Sequence, residues 1–123
     1  MMMCRKVLAM IKNSEKFRSE IRSNMRGGDG DITLVHMLEK EEMAGKARLV
    51  AHLLLPPGGS IGGHVHDPDA EIFIIVSGVA QLDDNGTLHT LNAGDVAYTA
   101  AGESHSIKNV GDTELDVIAI VIE

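Results

Sequence analysis

The sequence predicts an all-β fold, a sandwich or barrel of short strands. Two patterns and one feature of composition carry that reading. From Asp31 onward, apolar and β-branched runs alternate with clusters of Gly, Pro, Asn and Asp, the punctuation of short strands joined by turns. Residues 84–86 read Asp-Asn-Gly, and an Asn-Gly pair between such runs is a strong hairpin signal. The chain is 44% hydrophobic but only 2% aromatic, so its core has to be built from Val, Ile, Leu, Ala and Met packed closely. Its 123 residues allow one domain with one core.

Taken in order, residues 32–38 (ITLVHML) form a β-rich run that EKEEMAGK interrupts. Residues 47–55 (ARLVAHLLL) alternate in part and stop at Pro56-Pro57-Gly58-Gly59, a sequence that cannot continue a strand. Residues 71–78 (EIFIIVSG) make a short apolar strand closed by Gly78. Residues 79–91 fold back on themselves around Asn85-Gly86. Runs at 95–100, 104–110 and 114–123 each follow a glycine-containing break. No internal repeat or low-complexity stretch is present.

Residues 1–30 read as an N-terminal arm ahead of a β domain at 31–123. Within the arm, Met3, Val7, Met10, Ser14, Phe17, Ile21 and Met25 recur at helical spacing. Asn13-Ser14 and Gly27-Gly28 are breakers, however, and Ile11, Phe17 and Ile21 fit a strand equally well. Both conformations stay open at this point, as does Met10 as an alternative start.

Net charge is −7, which argues against a nucleic-acid partner, since an acidic domain gains nothing from counterion release. The charge is uneven: residues 1–26 carry a net of +5 and the remainder −12. Such an arm either stays solvated or folds against something acidic, the body itself or a second copy of it. The single cysteine, Cys4, excludes an intrachain disulfide and suits a reducing cytoplasm. The apolar run at residues 7–11 is too short for a membrane span or a signal core. The expectation is a cytoplasmic protein with no membrane partner.

The chemistry concentrates at residues 62–71, GGHVHDPDAE. Alternate residues of a strand share a face, which puts His64 and His66 on one side, about 7 Å apart along the backbone. Two imidazoles so placed can lean onto one cation at about 2 Å each. Asp67-Pro68-Asp69-Ala70 favours a turn, after which Glu71 can face the same centre. His105 is a further candidate from a distant strand. His36, His52 and His89 carry no such spacing and read as ordinary surface or core histidines.

The frame around these residues is more specific than the pair. Gly58, His64, His66, Glu71 and Gly78 are separated by five, one, four and six residues. Fifteen residues later, Gly94, Ala100, Gly102, His105 and Asn109 follow with gaps of five, one, two and three. This resembles the two-part signature of the cupins, G-x5-H-x-H-x3,4-E-x6-G and G-x5-P-x-G-x2-H-x3-N, across residues 58–109. The resemblance implies a small double-stranded β-helix, the jelly-roll barrel of two sheets, with a metal inside near one mouth. It implies His64, His66, Glu71 and His105 as the ligands, with about two positions left open on an octahedral ion. An N/O site of that kind suits a divalent ion, Mn, Fe, Ni, Co or Zn. Glu71 is read as a ligand with proton transfer as a secondary role, and Asn109 as a turn tie. Ala100 departs from the family's proline and is expected to loosen its turn.

Phe73 and Ile75, at period two from Glu71, are expected to face inward, with Ile107 and Ile61. Arg48 and His52 are expected to face outward. Cupins that handle oxalate carry arginine (decarboxylases) or asparagine (oxidases) at the position of Ile61, and a dianion in an apolar pocket is costly. This lowers the expectation of oxalate chemistry. The function implied is a metal-dependent enzyme acting on a small oxygen-bearing organic molecule by dioxygenase-, decarboxylase- or isomerase-like chemistry, with no catalytic residue assigned. The alternative is a non-catalytic module that binds a small molecule or the metal. Small cupins also commonly pair, so a homodimer joined through the arm is expected, which would cover exposed sheet edges.

Overall fold

A computed structural model describes residues 10–123; Met3, Cys4, Val7 and most of the apolar run at 7–11 lie outside the described residues. The fold is all-β. Its strands are β1 (Arg18–Ser23), β2 (Asp31–Leu38), β3 (Ala47–Leu55), β4 (Ser60–Val65), β5 (Ala70–Ser77), β6 (Ala80–Asp84), β7 (Thr87–Leu91), β8 (Val96–Thr99), β9 (Ser104–Asn109) and β10 (Leu115–Ile122). They form a six-stranded sheet, β1-β2-β3-β10-β5-β8, and a four-stranded sheet, β4-β9-β6-β7, each with antiparallel pairing throughout. The only helical pieces among the described residues are single 3₁₀ turns, and no helix there is long and apolar enough to cross a membrane.

The period-two patterning explains how the sheets face each other. Leu115, Val117, Ala119 and Val121 of β10 are buried, while the residues between them are less so. Ala51, Leu53 and Leu55 of β3 and Phe73 and Ile75 of β5 do the same. From the smaller sheet Ile61, Ala80, Leu82 and Ile107 close the core. Phe73 is the one aromatic in it; the rest is aliphatic, as the composition requires. Burying a side chain of this size contributes roughly 1.5–3 kcal/mol.

The expected hairpin is present. β6 and β7 pair around Asn85 (φ 52°) and Gly86 (φ 95°), the left-handed pair that a two-residue hairpin turn demands. Asn109 is the tie its position suggested: its Nδ2 donates to the carbonyls of Leu55 (2.9 Å) and Thr113 (2.8 Å), and its Oδ1 accepts from Gly111 N (2.9 Å).

The described part of the arm is strand rather than helix. β1 lies antiparallel on β2, with Ile21 opposite Thr33, and makes an edge of the larger sheet. The arm's positive charges meet acidic residues of the body: Arg18 with Glu39 at 3.0 Å and Lys12 with Glu42 at 2.6 Å. Between β1 and β2 the chain turns through Asn24 (φ 50°), Arg26 (φ 55°) and Gly27 (φ 80°). A left-handed arginine is unusual and costs about 1–2 kcal/mol, so neighbouring contacts have to hold it.

Those contacts come from β4. A β-carbon on Gly62 would collide with the carbonyl of Arg26, and one on Gly28 would collide with the carbonyl of Ser60. Backbone therefore packs directly on backbone here, which only glycine permits. The same stretch of β4 contains a bulge. Ile61 pairs with Ile107 and His64 with His105, so three steps along β4 match two along β9. The extra residue switches the parity of the strand, and Ile61 and His64 both point inward although they are three apart.

Candidate metal centre

The four candidate ligands come together from both sheets. His64 lies on β4 directly opposite His105 on β9. His66 follows β4 by one residue; its N–H donates to the Glu103 carbonyl at 3.0 Å and its carbonyl accepts from Gly102 at 2.5 Å. Glu71 stands on β5 of the other sheet. One donor atom from each residue falls within 4.8 Å of all the others. His66, Glu71 and His105 are buried and His64 is half-buried.

The chemistry of the donors identifies what such a cluster can hold. Each imidazole has its Nδ1 engaged: His64 with the Gly62 carbonyl at 2.8 Å, His66 with Asp69 Oδ1 at 2.9 Å, His105 with Thr99 Oγ1 at 2.7 Å. A carbonyl and a carboxylate only accept, so the proton of His64 and His66 sits on Nδ1, and Thr99 can accept likewise from His105. That leaves three Nε2 lone pairs converging: 3.0 Å between His66 and His105, 3.2 Å between His105 and His64. In this tautomer those contacts are lone pair against lone pair, not hydrogen bonds. Glu71 Oε1 adds a fourth acceptor, 2.9 Å from His66 Nε2 and 3.0 Å from His105 Nε2. Four acceptors aimed at one point fit a divalent cation.

The surroundings keep the cluster in that state. Burial pushes the His64 imidazole below its usual pKa, and the neighbouring His105, His66 and Arg26 add to the shift against the Gly62 hydrogen bond; the ring is then neutral and able to ligate. Burial alone would raise Asp69, but hydrogen bonds from Arg48 and His66 outweigh it and hold the carboxyl below its ordinary value. Asp69 thus stays an anion, with Arg48 donating to its Oδ2 through both Nε (3.0 Å) and Nη2. Phe73 stacks on His105, ring centroids 4.8 Å apart and planes 7° from parallel, fixing the imidazole plane.

A cavity of about 200 Å³ opens onto the cluster, smaller than the roughly 300 Å³ at which pockets for drug-sized ligands begin. Leu34, Leu49, Leu53, Ile61, Phe73 and Val121 supply apolar wall, and Arg22, Arg26, His36 and Arg48 supply the polar part beyond the ligands. Ile61, Phe73, Ile75 and Ile107 all face inward as expected; Ile61 and Phe73 also line the cavity. His36 is buried beside it, its Nε2 2.5 Å from Glu20 Oε2. His52 is paired with Asp116 at 2.7 Å and His89 is exposed on β7; none of these three joins the cluster.

Sequence reasoning did not find Asp69, Thr99 or the arginines. Asp69 read as a turn former inside Asp67-Pro68-Asp69. Arg48 does leave β3 on the outward side, but its long stem carries the guanidinium round to Asp69 and the cavity rim. Ile61 is one position of the wall, and the structure brings arginines to the cavity from β1, from the turn after it and from β3. The Ala100 turn is also closed: Ala100 N donates to Glu103 Oε1 at 3.0 Å, and Glu103 N donates to the Ala100 carbonyl at 3.1 Å. The first of these uses an N–H that proline would lack.

Two antiparallel sheets around three histidines and a glutamate define a small β-barrel with a cluster able to hold a metal. The family model described as cupin domain matches residues 51–121, and the chain belongs to the cupin family. It is 46% identical over 113 residues to the oxalate-binding protein of Thermotoga maritima, covering 92% of this chain and 93% of that one. The crystal structure of a predicted oxalate decarboxylase from Thermotoga maritima superposes with a TM-score of 0.88 at 46% identity, over 92% of this chain and 98% of the other. The polyketide cyclase RemF of Streptomyces resistomycificus has a TM-score of 0.77 at 14% identity, over 94% of this chain and 80% of that one. That last likeness is one of fold alone.

Proposed function

We propose that this cupin holds one divalent metal ion on His64, His66, Glu71 and His105 and binds a small chelating carboxylate, of which oxalate is the type, at that ion. The observation that carries the reading is the convergence of three Nδ1-anchored imidazoles and one carboxylate at the floor of a small cavity. When bound, the ion supplies a Lewis acid whose remaining positions accept ligand oxygens; Mn, Fe, Ni, Co and Zn all suit an N/O site. The cavity size supports a ligand of few atoms. The 46% identity to an oxalate-binding protein supports the carboxylate.

The test is calorimetric titration of the metal-loaded protein with oxalate, beside the metal-free protein and His66→Ala. Saturable binding that needs both metal and His66 is the expected result. Binding of oxalate by none of the three would overturn it.

Turnover is the second reading. His36 lines the cavity with Glu20 behind it, 2.5 Å from its Nε2, a couple able to exchange a proton with a bound acid. Loss of carbon dioxide from oxalate by the metal-loaded protein, abolished in His36→Gln, would establish it; bound oxalate recovered unchanged would leave a binder.

We also infer a homodimer. The edge strands β1 and β8 expose Ile21, Val96 and Tyr98, which a second chain would cover. Light scattering at the mass of two chains is expected, and a monomer would refute it.

A further inference from the structure

Resting on the reading above, we propose that Arg26 is the residue that recognises the second negative charge of the ligand, and so selects a dianion over a monoanion of the same shape. Three arginines line the cavity, Arg22, Arg26 and Arg48, and the charge of Arg26 is near enough to act on His64. Two are already neutralised by the protein. Arg48 is bound to Asp69. Arg22 donates to Glu20 from Nε at 3.1 Å and from Nη2 at 3.3 Å. Arg26 alone of the three has no carboxylate or hydrogen-bond partner for its side chain among the described residues.

Its position is built, not incidental. The turn that carries Arg26 is stitched to β4 by Ser60 N donating to the Asp29 carbonyl and Asp29 N donating to Ser60 Oγ, both at 2.9 Å. Inside the turn, Asn24 N donates to the Gly30 carbonyl at 3.0 Å and Asn24 Nδ2 to the Gly28 carbonyl at 3.1 Å. The Arg26 carbonyl presses on Gly62, two residues before the ligand His64. Arg26 holds a left-handed φ of 55°, directly before Gly27 at 80°, a conformation that costs an arginine more than it costs the glycine beside it. A strained residue over a ligand cavity is a reason to look for function. The charge also balances. A divalent ion less the Glu71 carboxylate leaves one net positive charge, and Arg26 adds a second, which a dicarboxylate matches. The planar guanidinium fork suits carboxylate oxygens that the ion does not take.

The experiment compares oxalate with oxamate, in which an amide replaces one carboxylate, by calorimetry on Mn(II)-loaded protein. The variants are Arg26→Asn, chosen because asparagine tolerates the left-handed backbone, and Arg26→Lys, which keeps charge without the fork. Metal content and thermal unfolding are measured on each. The expected result is that Arg26→Asn weakens oxalate by about 10- to 100-fold, leaves oxamate and metal content nearly unchanged, and so collapses the discrimination; Arg26→Lys falls between. The proposal is overturned if Arg26→Asn binds oxalate as tightly as the unsubstituted protein, or if both ligands and the metal are lost in parallel in both variants, which would mark a structural role. If the unsubstituted, metal-loaded protein does not bind oxalate, the underlying functional reading fails and takes this one with it. Oxalate binding that is intact in the unsubstituted protein and unaltered in the variants removes Arg26 alone.

Discussion

Asp69 accepts the Nδ1 proton of His66 at 2.9 Å while Arg48 donates to its other oxygen. The His66 imidazole, a buried carboxylate and a guanidinium thus form one chain leading out from the candidate metal centre. Such a partner fixes the tautomer and raises the basicity of the ligating nitrogen. Asp69→Asn, which keeps the size but loses the charge, should lower metal affinity by about 10- to 100-fold. Competition against a chromophoric chelator measures it, and an unchanged affinity would remove Asp69 from the account.

Thr99 plays the same part for His105, at 2.7 Å and almost wholly buried. Thr99→Val preserves the shape and leaves a buried N–H without an acceptor, at a cost of about 1–3 kcal/mol. Urea unfolding of the metal-free protein should show that loss, and metal affinity should fall beside it. Stability equal to the unsubstituted protein would mean that His105 carries its proton elsewhere.

Gly62 is the point where the Arg26 turn lies on β4. Gly62→Ala puts a methyl group into a backbone carbonyl, and overpacking of that kind costs about 1–3 kcal/mol. Because His64 donates to the Gly62 carbonyl, the same substitution should weaken metal binding. Gly63 has open space around it, so Gly63→Ala serves as the control and should change neither quantity by much.

Acid should act through Glu20. Hydrogen bonds from Arg22 and His36 bring its carboxyl from the ordinary 4.5 down to about 2. The folded state therefore binds this proton less readily than the unfolded chain. The resulting stability is complete above the ordinary value and is lost as pH falls from about 4.5 toward 2. The side chain is 30% exposed, so solvent screening cuts the contribution to on the order of 1 kcal/mol. Glu20→Gln should be less stable by that amount near neutral pH, with the difference closing at the acid end of a pH series of urea melts. A difference that persists unchanged at pH about 2 would contradict the linkage.

What could be read from the chain beforehand divides along physical lines. The strands were legible because half-buried strands write their facing into the period of two, as β5 and β10 do. The convergence of His64, His66, Glu71 and His105 was legible because a candidate cation site needs particular donor atoms, and their spacing is set by strand pitch and one turn. Asp69 was hidden because its residue type is as good a turn former as a hydrogen-bond acceptor. Arg26 was hidden more deeply. Its place over the cavity depends on a left-handed backbone and on Gly28 and Gly62 allowing two backbones to touch, contacts between residues that sequence distance keeps apart. The inward direction of Ile61 likewise depends on the bulge between it and His64. The arm, ambiguous by pattern, was decided by pairing with β2, a long-range contact that overrides local preference.

The most direct test is elemental analysis of protein expressed without a tag, purified without chelating resin, and compared with a His66→Ala, His105→Ala double variant confirmed to be folded. Four converging donors should retain about one divalent ion per chain, and the double variant should retain almost none. Metal-free protein from cells supplied with every candidate ion, still unable to take one up on titration, would contradict the account at its base.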